Sequence, residues 1–116
     1  MANWNMLLVE DDMDGQEVIS RMLRHQQITF DVARSGEEAL KLLADNIYDG
    51  AIIDLNLPGM DGWTLLRNIR QNPRSAAVPC VAVTAYHSPE LAVKAVEYGF
   101  TTYFPKPIEA LTFVKE

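Results

Sequence analysis

Residues 51–62 read AIIDLNLPGMDG. Three apolar residues, Ala51, Ile52 and Ile53, run into Asp54, and the turn formers Pro58, Gly59 and Gly62 follow. An apolar run this short, closed by Pro and Gly, reads as a strand buried on both faces rather than as part of a helix. Asp54 ends that run, where an aspartate should not be buried unless something partners it. The stretch therefore poses two questions: what covers the strand, and what compensates Asp54.

Working outward, residues 6–9 are a second short apolar run, and residues 28–33 alternate as a strand does. Residues 78–84 and 101–104 complete a set of five predicted strands. Helical patterns lie between them. Asp14 with Glu17 three residues later forms a capping box before Val18, Ile19, Met22 and Leu23. Ser35 with Glu38 forms a second, opening a helix with Ala39, Leu40, Leu42 and Leu43 on its inner face. Asp61 caps a third helix, carrying Leu65, Leu66 and Ile69 and stopping before Pro73. Ser88 and Pro89 start a fourth, and Gly99 ends it. A fifth begins at Ile108. Buried strands alternating with single helices predict an α/β fold, a parallel sheet with helices on both faces.

The 116 residues fit one domain spanning 1–116, with the fifth helix cut short or just completed at Glu116. No apolar run reaches the ~20 residues a bilayer span needs, and no secretory signal opens the chain. Net charge is −6 with Lys and Arg scattered, which argues against a nucleic-acid footprint. The single cysteine, Cys80, sits in an apolar strand and reads as a buried thiol, consistent with a reducing cytoplasm. Trp4 and Trp63 read as packing residues, and His25 and His87 as exposed polar ones with no metal-pair spacing.

Ligands and catalytic groups of a parallel sheet belong at the carboxyl ends of its strands. There the first strand carries Glu10, Asp11 and Asp12, the third carries Asp54 and then Asn56, the fourth ends in Thr84, and the fifth runs into Lys106. Clustered carboxylates repel unless a cation joins them. Magnesium, a hard octahedral ion held by a few oxygens, is the natural resolution, with manganese an alternative. Asp11 and Asp54 would supply carboxylate oxygens, Asn56 its backbone carbonyl and Glu10 a water-mediated contact. Lys106 would supply a compact positive charge, and Thr84 a hydroxyl that can donate. Such a set suits phosphoryl transfer onto Asp54, since that chemistry is mostly positioning and charge neutralisation.

These residues are similar to the receiver domains of two-component response regulators. The resemblance is carried over the whole chain by LVEDD at 8–12, DLNLPGMDG at 54–62, VTA at 83–85 and Lys106-Pro107. It implies a doubly wound, flavodoxin-like five-stranded sheet in the order 2-1-3-4-5. It implies that Asp54 accepts a phosphoryl group from a phosphohistidine on a sensor histidine kinase or histidine phosphotransfer protein. Glu10 and Asp11 match the acidic pair, Thr84 the switch hydroxyl and Tyr103 the switch aromatic. A cis Lys106–Pro107 bond is implied too. The domain would promote its own phosphorylation and dephosphorylation without being a turnover enzyme. Its output would be a changed surface of fourth helix, fifth strand and fifth helix that recruits an effector, and a weak homodimer is compatible with it.

Four positions depart from the family pattern or vary within it. Pro105 stands where an aliphatic residue is usual, which an edge strand tolerates, and Phe100 stands where alanine is common. Asn56 and Tyr86 lie two residues past the acceptor and the switch threonine, and bulky Tyr86 is expected to shield an acyl phosphate. Competing readings fail on particular residues. A calcium loop starting at Asp54 would need glutamate where Leu65 stands. A flavin domain would not place Glu10, Asp11 and Asp12 where a phosphate must bind. An aspartate-based phosphohydrolase would want a second acid where Asn56 stands.

Overall fold

Gly50–Asp54 form the middle strand of the sheet, β3, and all five of its residues are buried. The computed structural model describes residues 4–86 and 88–106. In chain order it contains β1 (Asn5–Val9), α1 (Met13–His25), β2 (Thr29–Ala33), α2 (Gly36–Asp45), β3, α3 (Gly62–Gln71), β4 (Cys80–Thr84), α4 (Pro89–Tyr98) and β5 (Thr102–Pro105). The strands lie in the order β2-β1-β3-β4-β5, every neighbouring pair parallel. The expected fold class and strand order are those observed. The predicted fifth helix, His87 and the Lys106–Pro107 bond lie outside the described residues.

Side chains alternate across the sheet, and each face meets its own helices. On one face Leu7, Val9, Ala51, Ile53 and Ala82 pack with Leu43 of α2, Leu65, Leu66 and Ile69 of α3, and Ala95 of α4. On the other, Leu8, Ile52 and Val83 pack with Ile19 and Leu23 of α1 and with Phe104. Phe100, the unusual residue after Gly99, is buried and meets the Trp63 ring edge-on at 5.8 Å. Pro105 sits on the edge strand β5, where its missing N–H breaks no ladder on the open side.

Three expected helix caps are those observed. Ser35, Asp61 and Ser88 each cap a helix, accepting from Glu38, Thr64 and Leu91 backbone N–H groups, and Gly99 ends α4 at φ 128°. The start of α1 differs from expectation. Asp12 is the cap, accepting from Gly15 N–H at 2.8 Å, while Asp14 lies inside the first turn and Glu17 pairs with Arg21 instead. Both aspartates satisfy the same capping chemistry, and the extended backbone of Asp12 selects it. Val18 is exposed, since the helix turns Ile19 and Leu23 inward and leaves it at the margin. Trp4 is also exposed, standing just before β1 at the end of the sheet.

Candidate functional site

The in-register parallel pairing carries four polar residues to one edge of the sheet. Val9 lies beside Ile53, Asp54 beside Val83, and Thr84 beside Pro105. Glu10 follows β1 directly and its N–H still bonds the Ala33 carbonyl at 3.0 Å. Lys106 follows β5, and its N–H bonds the Thr84 carbonyl at 2.8 Å. Glu10 and Thr84 are 0% exposed and Asp54 is 5% exposed.

Lys106 joins the two buried acids. Its Nζ donates to Glu10 Oε1 at 2.5 Å and to Asp54 Oδ2 at 3.3 Å. Asp11, exposed at the rim, contributes the third oxygen of a group that lies within 4.8 Å: Glu10, Asp11 and Asp54. Burial pushes the Glu10 carboxyl up to about 7, the Asp54 carboxylate beside it adds to this, and Lys106 pulls the other way. For Lys106, burial favours the neutral form, but the Glu10 and Asp54 carboxylates outweigh it and hold the ammonium above its ordinary range. One ammonium thus contacts two buried carboxylates with an Asp11 oxygen in the same cluster, so among the described residues acids outnumber bases at this site. Hard oxygen donors, burial and that imbalance fit a magnesium or manganese ion.

The other half of the site is built around Asn56. Its backbone N–H donates to Asp54 Oδ1 at 3.0 Å, and its side-chain amide donates to Thr84 Oγ1 at 2.6 Å. Thr84 Oγ1 also accepts from the Tyr86 N–H at 3.1 Å. The Tyr86 ring, expected to shield the pocket, is 73% exposed, so its cover would have to come from movement toward Asp54. Tyr103 is partly buried against the larger core, and burial raises its phenol above the ordinary value while a hydrogen bond with the Ser88 backbone opposes the shift.

Several contributors escaped the sequence reading. Gln16 donates its side-chain amide to the Glu10 carbonyl at 2.8 Å, anchoring the acid from α1. Gly15 lies so near that a Cβ there would stand 2.5 Å from Glu10 Oε1. Gly62 is as tightly placed behind the acceptor, where a Cβ would meet the Asp54 carbonyl oxygen at 2.7 Å. A small residue three positions past an acidic cluster was the available signal for Gly15; Gln16 offered none.

With this geometry in place, the chain can be set beside known proteins. A family model described as response regulator receiver domain matches residues 6–116. The response regulator protein FleR of Pseudomonas aeruginosa is 40% identical over 105 residues, which are 90% of this chain and 22% of FleR. The chain likewise spans 21% of the DNA-binding transcriptional regulator NtrC of Escherichia coli, at 34% identity over 88% of its own length. Among solved structures, the receiver domain of sensor histidine kinase PA1611 from Pseudomonas aeruginosa superposes with a TM-score of 0.88 at 29% identity, covering 98% of this chain and 93% of that one. That structure has a magnesium ion coordinated in its active site cleft.

Proposed function

The chain belongs to the family of response regulator receiver domains of two-component systems, and from that premise we propose that Asp54 is its phosphoacceptor. The arrangement that carries the proposal is the Lys106 ammonium held between Glu10 and Asp54, with an Asp11 oxygen in the same cluster. The donor is a phosphohistidine on a sensor histidine kinase or a phosphotransfer protein. An Asp54 carboxylate oxygen attacks phosphorus as the P–N bond breaks. The imidazole keeps the electron pair and takes a proton from solvent, and an acyl phosphate remains on Asp54. Water later attacks the phosphorus, releasing inorganic phosphate and restoring the carboxylate. One phosphoryl group passes per cycle, so the domain acts as a switch rather than a turnover enzyme.

Glu10, Asp11, Asp54 and the Asn56 backbone carbonyl are the residues that would hold a magnesium or manganese ion, Glu10 through water. Bound there, the ion would neutralise charge on the transferred group. Lys106 offsets charge on the acceptor and then on the phosphoryl oxygens. Thr84 turns its hydroxyl toward the phosphoryl group, Tyr103 follows, and the surface of α4, β5 and the residues after it changes for an effector. No described helix is long and apolar enough to cross a membrane, and we place the domain in the cytoplasm.

Incubation with magnesium and acetyl phosphate, followed by intact-mass measurement, tests the acceptor. The wild-type chain should gain one phosphoryl group that hydroxylamine removes, and Asp54→Asn should gain none. Equal labelling of Asp54→Asn would overturn the assignment.

A further inference from the structure

The Thr84 hydroxyl is bonded from two sides. Its oxygen has two acceptor positions, and both are filled, by the Asn56 amide at 2.6 Å and the Tyr86 N–H at 3.1 Å. The Tyr86 bond is local, two residues along the chain. The Asn56 bond is long-range, 28 residues apart, and ties the end of β4 to the loop after β3. Asn56 is exposed, and the bond to a fully buried hydroxyl is the tertiary contact its side chain makes among the hydrogen bonds described. The same residue donates its backbone N–H to Asp54 Oδ1, so one residue touches both the carboxylate and the threonine.

We propose that the Asn56 side-chain amide is a latch on Thr84, a positioning residue that stabilises the resting conformation of the site. This rests on the reading of Asp54 as phosphoacceptor and Thr84 as the group that answers it. Charge arriving on Asp54 creates anionic oxygens, which compete for the Thr84 hydroxyl proton. Turning the hydroxyl toward them breaks the bond to the Asn56 amide, which is left to solvent, so the tether stabilises the resting state alone. Before that, the tether lowers the population of the responsive conformation, and apparent affinity for any ligand of that conformation falls in proportion.

Asn56→Ala tests this, with beryllofluoride plus magnesium as the phosphoryl mimic and the backbone amide resonances of Ala85 and Tyr86 as readouts. Losing one neutral hydrogen bond corresponds to about fivefold in an equilibrium constant, so half-saturation should come at about a fifth of the wild-type beryllofluoride concentration. Without ligand, the Tyr86 resonance of Asn56→Ala should already lie part of the way toward its saturated position. In a Thr84→Ala background the Asn56 substitution should change half-saturation by less than about twofold, because the tether has no partner. Equal half-saturation and an unmoved resonance in Asn56→Ala would overturn the latch. So would weaker binding, which would make the amide a simple ligand of the phosphoryl group. A wild-type chain that ignores beryllofluoride, and gains no phosphoryl group by mass, would overturn the acceptor reading and the latch with it. Wild-type response with a silent Asn56→Ala sinks the latch alone.

Discussion

Glu10 and Cys80 are both buried and ionisable, and the environment of each decides what it can do. Glu10 is tolerated because Lys106 Nζ sits 2.5 Å away, the Asp12 N–H donates to its Oε2 at 3.4 Å, and the Gln16 amide holds its backbone carbonyl. Replacing Lys106 by Met should leave two buried carboxylates facing each other, costing about 1–3 kcal/mol of stability without divalent cations. Urea unfolding with and without magnesium checks this: added magnesium should restore more stability to Lys106→Met than it adds to the wild-type chain. Burial pushes the Cys80 thiol up to about 11, with Arg70 beside it opposing. Its folded value lies above the ordinary 9.0, so the folded state favours the neutral thiol. Its contribution to stability is therefore complete below about pH 9 and is lost as pH rises through about 11. Denaturant midpoints should fall across that window in the wild-type chain, and less steeply in Cys80→Val.

At the scale of elements, two glycines a few residues apart make opposite demands. Gly59 has φ 74° with open space around its missing side chain, so alanine there costs only the left-handed backbone, about 1 kcal/mol. Gly62 opens α3 at ordinary φ, but a Cβ would stand 2.7 Å from the Asp54 carbonyl oxygen and from the Leu55 Cα. Both obstacles are backbone, which cannot swing aside, so Gly62→Ala should cost about 1–3 kcal/mol and displace the acceptor strand. Thermal melts of the two variants should separate them, Gly62→Ala melting lower and losing magnesium-dependent phosphorylation while Gly59→Ala keeps it. The turn-rich composition of residues 57–62 announced a loop but could not distinguish these roles, because one arises from torsion and the other from a neighbour 2.7 Å away. Helix caps show the same boundary. Ser35, Asp61 and Ser88 were legible since each stands before an apolar stripe, whereas Asp14 was the expected cap and Asp12, with the same chemistry two residues earlier, holds the position.

The whole molecule carries a net charge of −6, and part of that negative charge converges on one sheet edge. Millimolar magnesium should therefore raise the melting temperature well beyond sodium chloride at equal ionic strength, and Asp11→Asn should reduce that difference. A salt-like response to both would deny a specific cation site. Strand identity, helix placement and the acidic tips of β1 and β3 followed from the sequence itself, since period, burial and capping are properties of short segments. So did the candidacy of Asp54, an acid closing an apolar run. What tertiary structure alone decided was who stands next to whom: Lys106 against Glu10 across 96 residues, and Asn56 against Thr84 across 28. Those pairings depend on strand order and register, which put distant residues within a few ångströms only after the sheet has closed its hydrogen-bond ladders.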